Sequence, residues 1–255
     1  MKRSHWIALF GAAALLFCSA VPVGAFEIGA RGLYWFPAFK ADMKADDAGV
    51  VGDTINAKDT LGLGTKALPT VEVFGGLGKH RVTLGYTPIN YSGSTTLSSA
   101  VNFGGKTFAA GTNVDTDLKL QMVDLEYQYT FLDMENLLAG FSLGAIGQIK
   151  YIDGEAKLNG GGTTADQTAR VPLPMLGMGA HIGLLAGILE ARAKVTGIGY
   201  SGNYIYEALA DISYTPFPFL DINAGYKHIG LKIDKSDFYL NTQFTGPYVG
   251  LTVSF

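Results

Sequence analysis

The stretch Pro247-Tyr248-Val249-Gly250-Leu251-Thr252-Val253-Ser254-Phe255 alternates without a break. Pro247, Val249, Leu251, Val253 and Phe255 fall on one side, and Tyr248, Gly250, Thr252 and Ser254 on the other. Successive side chains of a strand point to opposite faces, so this is a strand with one apolar and one small or polar surface. An apolar chain end in water frays, so a strand that finishes on Phe calls for apolar surroundings.

The other end of the chain agrees. Lys2 and Arg3 make a basic start, Ile7 to Phe17 are nearly all apolar, and Val23-Gly24-Ala25 offers small residues for cleavage. Residues 1–25 therefore read as a cleaved secretory signal peptide and 26–255 as a single domain. Cleavage removes Cys18, the one cysteine, so the exported domain relies on pairing and packing without disulfides. Thirty-four glycines and 13 tyrosines, with 16% charged residues, suit strands and tight turns better than helices. A net charge of −3 argues against a nucleic-acid partner.

With both ends in view, the chain resembles the bacterial outer-membrane β-barrel proteins, the broad class of small OmpA-like and OmpW-like barrels. The resemblance rests on Val249, Leu251, Val253 and Phe255 and on alternation along the whole domain. It implies that these four residues are the signal read by the barrel-assembly machinery, and that the partners in place are outer-membrane lipid and lipopolysaccharide.

Alternation outlines about ten strands, with eight or twelve as the alternatives, in an all-β antiparallel up-and-down transmembrane barrel. Ten strands put both termini at one end. The connections at the other end are expected to be long for the first three, the second carrying a small hairpin at Phe103-Gly104-Gly105-Lys106 that projects above the membrane. Near Met122 the apolar face changes sides, which predicts either a bulge or the point where that strand leaves the bilayer. Aromatic girdles are expected from Tyr34, Trp35 and Tyr151 at one interface and from Tyr129, Phe131, Tyr214, Phe217, Phe219 and Phe255 at the other.

In lipid the apolar faces turn outward, so the opposite faces fill the lumen. This places Glu72, Asp124, Glu126, Glu190, Glu207, Asp211 and Asp221 opposite Arg31, Arg81, Lys150, Arg192, Lys194 and Lys227. Seven acids against six bases predict an interlocked charge network more than a selective ion path. Val171-Pro172-Leu173-Pro174-Met175 is the most unusual strand segment, because Pro172 and Pro174 remove two donors from one seam. Either that height is already above the bilayer, or the prolines mark a lateral opening lined by Met175, Leu176 and Met178.

His80, His181 and His228 lack metal-ligand spacing, and Gly160-Gly161-Gly162-Thr163 lacks the Lys of a phosphate loop. No catalytic, cofactor or metal residues are expected, and the chain is not read as an enzyme. Function is then read first as a narrow channel or transporter for small or hydrophobic solutes, with a structural or adhesive surface barrel without transport as the alternative. A barrel hydrolase or acyltransferase ranks behind both.

Overall fold

The computed structural model describes residues 26–45, 55–56, 60–63, 66–134, 140–185, 188–235 and 238–255. The expected leader, residues 1–25, lies outside them. In chain order the strands are β1 (Phe26–Trp35), β2 (Ala38–Ala45), β3 (Ile55–Asn56), β4 (Leu68–Leu77), β5 (His80–Thr96), β6 (Val101–Phe103) and β7 (Lys106–Phe108). They continue with β8 (Asn113–Met134), β9 (Phe141–Gly160), β10 (Thr163–Leu184), β11 (Leu189–Tyr200), β12 (Asn203–Phe217), β13 (Leu220–Lys235) and β14 (Phe238–Ser254).

Ten of these close an antiparallel barrel in the order β1-β4-β5-β8-β9-β10-β11-β12-β13-β14, with β14 pairing back onto β1. β2 extends β1 in the same register on β14 beyond a break at Phe36-Pro37. The start of β1 and the carboxyl terminus lie at one end, where Ile28 and Phe255 exchange backbone hydrogen bonds. Following the pairing from Pro172 through Tyr151, Val123, Tyr86, Val71, Gly32, Leu251, Ile222, Tyr214 and Leu189 returns to β10 at Leu184, twelve residues along. That stagger over ten strands tilts them by about 40° and sets the wall about 10 Å from the axis.

Outward residues form an apolar band at the end that carries the termini. Val249, Leu251 and Val253 on β14, Leu125, Tyr127 and Tyr129 on β8, and Ile212 and Tyr214 on β12 are all exposed. On β14 the band covers Pro247 to Phe255, a height of about 20–25 Å at this tilt. Beyond it the pattern inverts with no change of register. On β8 the outward positions become Gln121, Lys119, Asp117 and Asp115, while the inward ones become Met122, Leu120, Leu118 and Val114. The pairing of β8 with β5 runs unbroken from Tyr129 to Asn113, so no bulge lies at Met122. The irregularity on β8 falls instead between Thr130 and Leu132. What changes sides at Met122 is the solvent: apolar side chains face outward inside the band and inward beyond it.

The far end departs from expectation in three ways. The third connection is a two-residue turn at Gly161-Gly162, both with positive φ, because β9 and β10 run on as long strands. The hairpin of β6 and β7 forms at Phe103-Gly104-Gly105-Lys106 as expected, but Val101, Phe103 and Phe108 are buried and do not project freely. Trp35 is not in a girdle; it points inward, 1% exposed, and its Nε1 donates to the Gly246 carbonyl at 3.1 Å. Neighbouring residues in a strand cannot share a face, so with Tyr34 outward Trp35 had to turn in.

β4 is short. Its pairing with β5 ends at Val71–Tyr86, and residues 87–96 of β5 rise past it without a β4 partner. Leu61 and Leu63 fill the inside of this gap, and Gly62 lies so close to Gly93 of β5 that a Cβ there would meet its carbonyl.

Candidate functional site in the barrel interior

The interior has two storeys. The one inside the apolar band is charged, built from the inward positions of all ten barrel strands. Arg31 reaches Glu72 at 3.2 Å and donates to Thr252 at 2.9 Å. Arg192 makes a bidentate pair with Asp211 at 2.9 and 2.8 Å, and the Tyr248 hydroxyl donates to the same carboxylate. Lys194 on β11 crosses to Glu126 on β8 at 2.6 Å. Lys150, with no exposed surface, lies between Asp124 at 2.5 Å and Glu207 at 2.9 Å, and Lys227 approaches Glu207 at 3.3 Å. β10 approaches β11 so closely at this height that a Cβ on Gly177 would collide with the Val195 carbonyl and Thr196.

Each of the six expected bases has an acidic partner. Two expected acids do not meet a Lys or Arg: Glu190 pairs with His181 at 3.2 Å, and Asp221 accepts from Thr215 at 2.7 Å. Sequence reasoning missed Glu27, which pairs with Arg81 at 2.8 Å. It also missed the neutral links of the lattice, Gln148, Thr196, Asn223, Thr252 and Tyr248. Their inward parity was readable, but a neutral side chain in an alternating strand carries no mark of its partner.

Beneath the lattice, a cavity of about 410 Å³ is lined by Glu27, Arg81, Glu190, Arg192, Glu126 and Lys194 among others. Its lining includes Gly78, Lys79 and His80 of the turn at the terminal end, so it enters from that end and stops at mid-height.

The second storey is apolar. Trp35, Phe244, Phe39 and Tyr91 form a chain of rings with centroid separations of 6.2, 4.9 and 5.0 Å, carrying contact from β1 through β14 and β2 to β5. Leu68, Ile89, Leu118, Met122, Leu158 and the tips of the β6–β7 hairpin complete the cluster. Lys227 joins the storeys, its ammonium 5.3 Å from the Trp35 ring, a favourable cation–π arrangement. Among the described residues the Tyr91 hydroxyl finds no hydrogen-bond partner, and burial pushes its pKa up to about 12.

The two prolines sit on an interrupted seam. Pairing of β10 with β9 runs without a break through Pro172–Tyr151 and Pro174–Ile149, whereas pairing with β11 stops at Leu176–Gly197. The Gly183 N–H bonds to Gly140 on the β9 side, so odd-numbered residues of β10 bond toward β9 and even-numbered ones toward β11. Pro172 and Pro174 therefore lack their donors on the β11 side, at the height where the β11–β12 hairpin turns back at Ser201-Gly202. The residues expected to line an opening do not share a face: Met175 is buried inside, while Leu176 and Met178 are exposed outside.

The histidines are satisfied locally. His80 bonds the Tyr127 hydroxyl at 2.7 Å, and His228 lies between Thr245 and Tyr206 at 2.6 and 2.7 Å. No group of three or more His, Cys, Asp or Glu among the described residues is arranged to hold a metal ion.

No protein-family model and no curated protein matches the sequence. Among solved structures, the outer membrane protease OmpT from Escherichia coli superposes with a TM-score of 0.63, covering 93% of this chain and 99% of that one at 10% identity. Neisserial surface protein A aligns with a TM-score of 0.36 over 90% and 97% at 15% identity. The Pseudomonas putida toluene transporter TodX aligns with 0.33 over 92% and 90% at 9% identity. At such identities the likeness to OmpT is one of fold.

Proposed function

We propose, from the premise that this chain has the fold of the bacterial outer-membrane β-barrels, that it is a non-conducting surface barrel: exported, held in the outer membrane by its apolar band, and presenting its far end outside the cell. Cleavage after Ala25 would leave Phe26 in the periplasm beside Phe255. Lipid and lipopolysaccharide would contact the band, and the assembly machinery would read Val249, Leu251, Val253 and Phe255.

The observation that carries this reading is the double closure of the interior. The Lys150 lattice crosses the lumen within the band, and the Trp35–Phe244–Phe39–Tyr91 stack fills it above. An ion passing through would have to separate largely buried charge pairs and then enter an apolar cluster, each step costing several kcal/mol. The test is planar-bilayer recording of the refolded chain at neutral pH. No steady conductance is expected; long-lived open events in most insertions would overturn the proposal.

The reading as a narrow channel or transporter draws support from the 410 Å³ cavity, which already covers the lower half of the path. For transport the upper cluster would have to open. A disulfide joining β2 to β5 across that cluster would abolish uptake under this second reading and leave the first unaffected. A barrel hydrolase or acyltransferase gains no support from His228, which meets a hydroxyl on each side in place of a carboxylate, and the His181–Glu190 pair lines the cavity at the opposite end of the barrel.

A further inference from the structure

Above the apolar band the wall is uneven. β8, β9 and β10 continue to Asn113, Gly160 and Thr163, but β11 and β12 turn back at Ser201-Gly202. β10 therefore runs from Met175 up to Thr163 with β9 on one side and, among the described residues, no paired strand on the other. By the alternation set at Gly183, the backbone groups on that open side belong to Thr164, Asp166, Thr168 and Arg170, then to Pro172 and Pro174. The first four residues are exposed and offer four N–H and four C=O groups in a row. The prolines withhold N–H groups where the edge leaves the band, as is usual where a sheet edge is protected. The protection stops at Pro172, and the edge above it is open.

We infer that the upper edge of β10, Thr164 to Arg170, is a docking edge for an extended segment of another polypeptide, added as a further strand above the membrane. The edge itself defines the segment. A strand laid there would place alternate residues on the inner side with Ala165, Gln167, Ala169 and Val171, next to the apolar storey, and the others on the outer side with Asp166, Thr168 and Arg170. The fitting partner has small or apolar residues at every second position and polar ones between, including a base two residues from its centre to face Asp166, while Arg170 is already paired with Asp153 at 3.1 Å.

A second copy in the same membrane does not fit. Rotation about the membrane normal leaves both β10 strands pointing the same way along it, so their edges cannot pair antiparallel across a two-fold axis.

The inference rests on the far end being extracellular, but its test does not. The probe is a phage-displayed library of random nine-residue segments, selected on the full chain refolded in detergent and counter-selected on Thr168→Pro. This variant copies what Pro172 and Pro174 already do, removing an edge N–H without taking a bond from β9, so the fold is expected to stand. Selected segments should alternate in polarity and bind Thr168→Pro at least tenfold more weakly. As a check independent of that variant, N-methylation of the edge-facing amides of a selected peptide should abolish binding, and methylation of the other set should not. Failure to recover segments sensitive to Thr168→Pro, or equal loss from both methylation patterns, would overturn the inference. Binding in detergent without binding to intact cells would keep the docking edge and overturn the extracellular placement instead.

Discussion

Lys150→Met tests the charged storey most directly. Lys150 is wholly buried between Asp124 and Glu207, and Glu207 has a second cation in Lys227, 3.3 Å away. Four charges thus sum to zero in a space with little water. Removing the ammonium leaves Asp124 with the Gln148 amide at 2.8 Å as its neutral donor and leaves one uncompensated negative charge in the lattice. Stranding a buried charge costs about 3–5 kcal/mol, so the single variant should lose that much stability. The double variant Lys150→Met/Asp124→Asn restores neutrality, retains the Lys227–Glu207 pair and preserves the acceptor for Gln148. Its cost should fall below about 1.5 kcal/mol, because replacing a whole buried pair is often near neutral. Trp35 is the one tryptophan of residues 26–255 and is buried just above the lattice, so its fluorescence reports urea unfolding from phospholipid vesicles without a label. A single variant costing less than about 1 kcal/mol, or a double variant no more stable than the single, would refute the lattice as a desolvated, charge-balanced unit.

Arg192→Ala should destabilise by about 2–4 kcal/mol, because Asp211 loses both its bonds to the guanidinium, whereas Glu190→Ala, whose pair with His181 is partly exposed to solvent, should cost about 1 kcal/mol or less; the same unfolding assay ranks them. Tyr91→Phe should be neutral or stabilising by up to about 1 kcal/mol, since it removes a buried hydroxyl with no partner, and the wild-type phenol should escape spectrophotometric titration until about pH 12. Gly246→Ala should misfold or lose several kcal/mol, because its Cβ would land on the Phe36 carbonyl at the junction of β1 and β2; normal heat-modifiability on gels would contradict the close approach. Deleting Phe255 should reduce the folded barrel recovered from outer membranes while detergent refolding stays nearly normal, and unchanged amounts in cells would count against its role as an assembly signal.

The alternation of residues 247–255, the faces of β11 and the inward placement of the charged residues were legible because a strand's period of two is local and, within the apolar band, the two faces of the wall carry opposite polarity. Ten strands followed from counting such segments. Single residues misled where the count relied on composition: the polar residues of the third connection looked like a loop, yet they belong to β9 and β10 continuing past the apolar band. The switch at Met122 was visible in the sequence, but whether it meant a kink or a change of solvent required the unbroken pairing with β5. Which acid meets which base was also beyond reach. Lys194 and Glu126 lie 68 positions apart, and Glu27 and Arg81 54 apart, joined by a stagger of twelve residues that no strand contains alone. By itself the sequence determined a two-faced barrel wall with charge turned inward. Closure decided the rest, since wall length, shear and the early ends of β4 and β11 set which side chains cross the lumen, where it fills with aromatic rings, and which strand edge is left open.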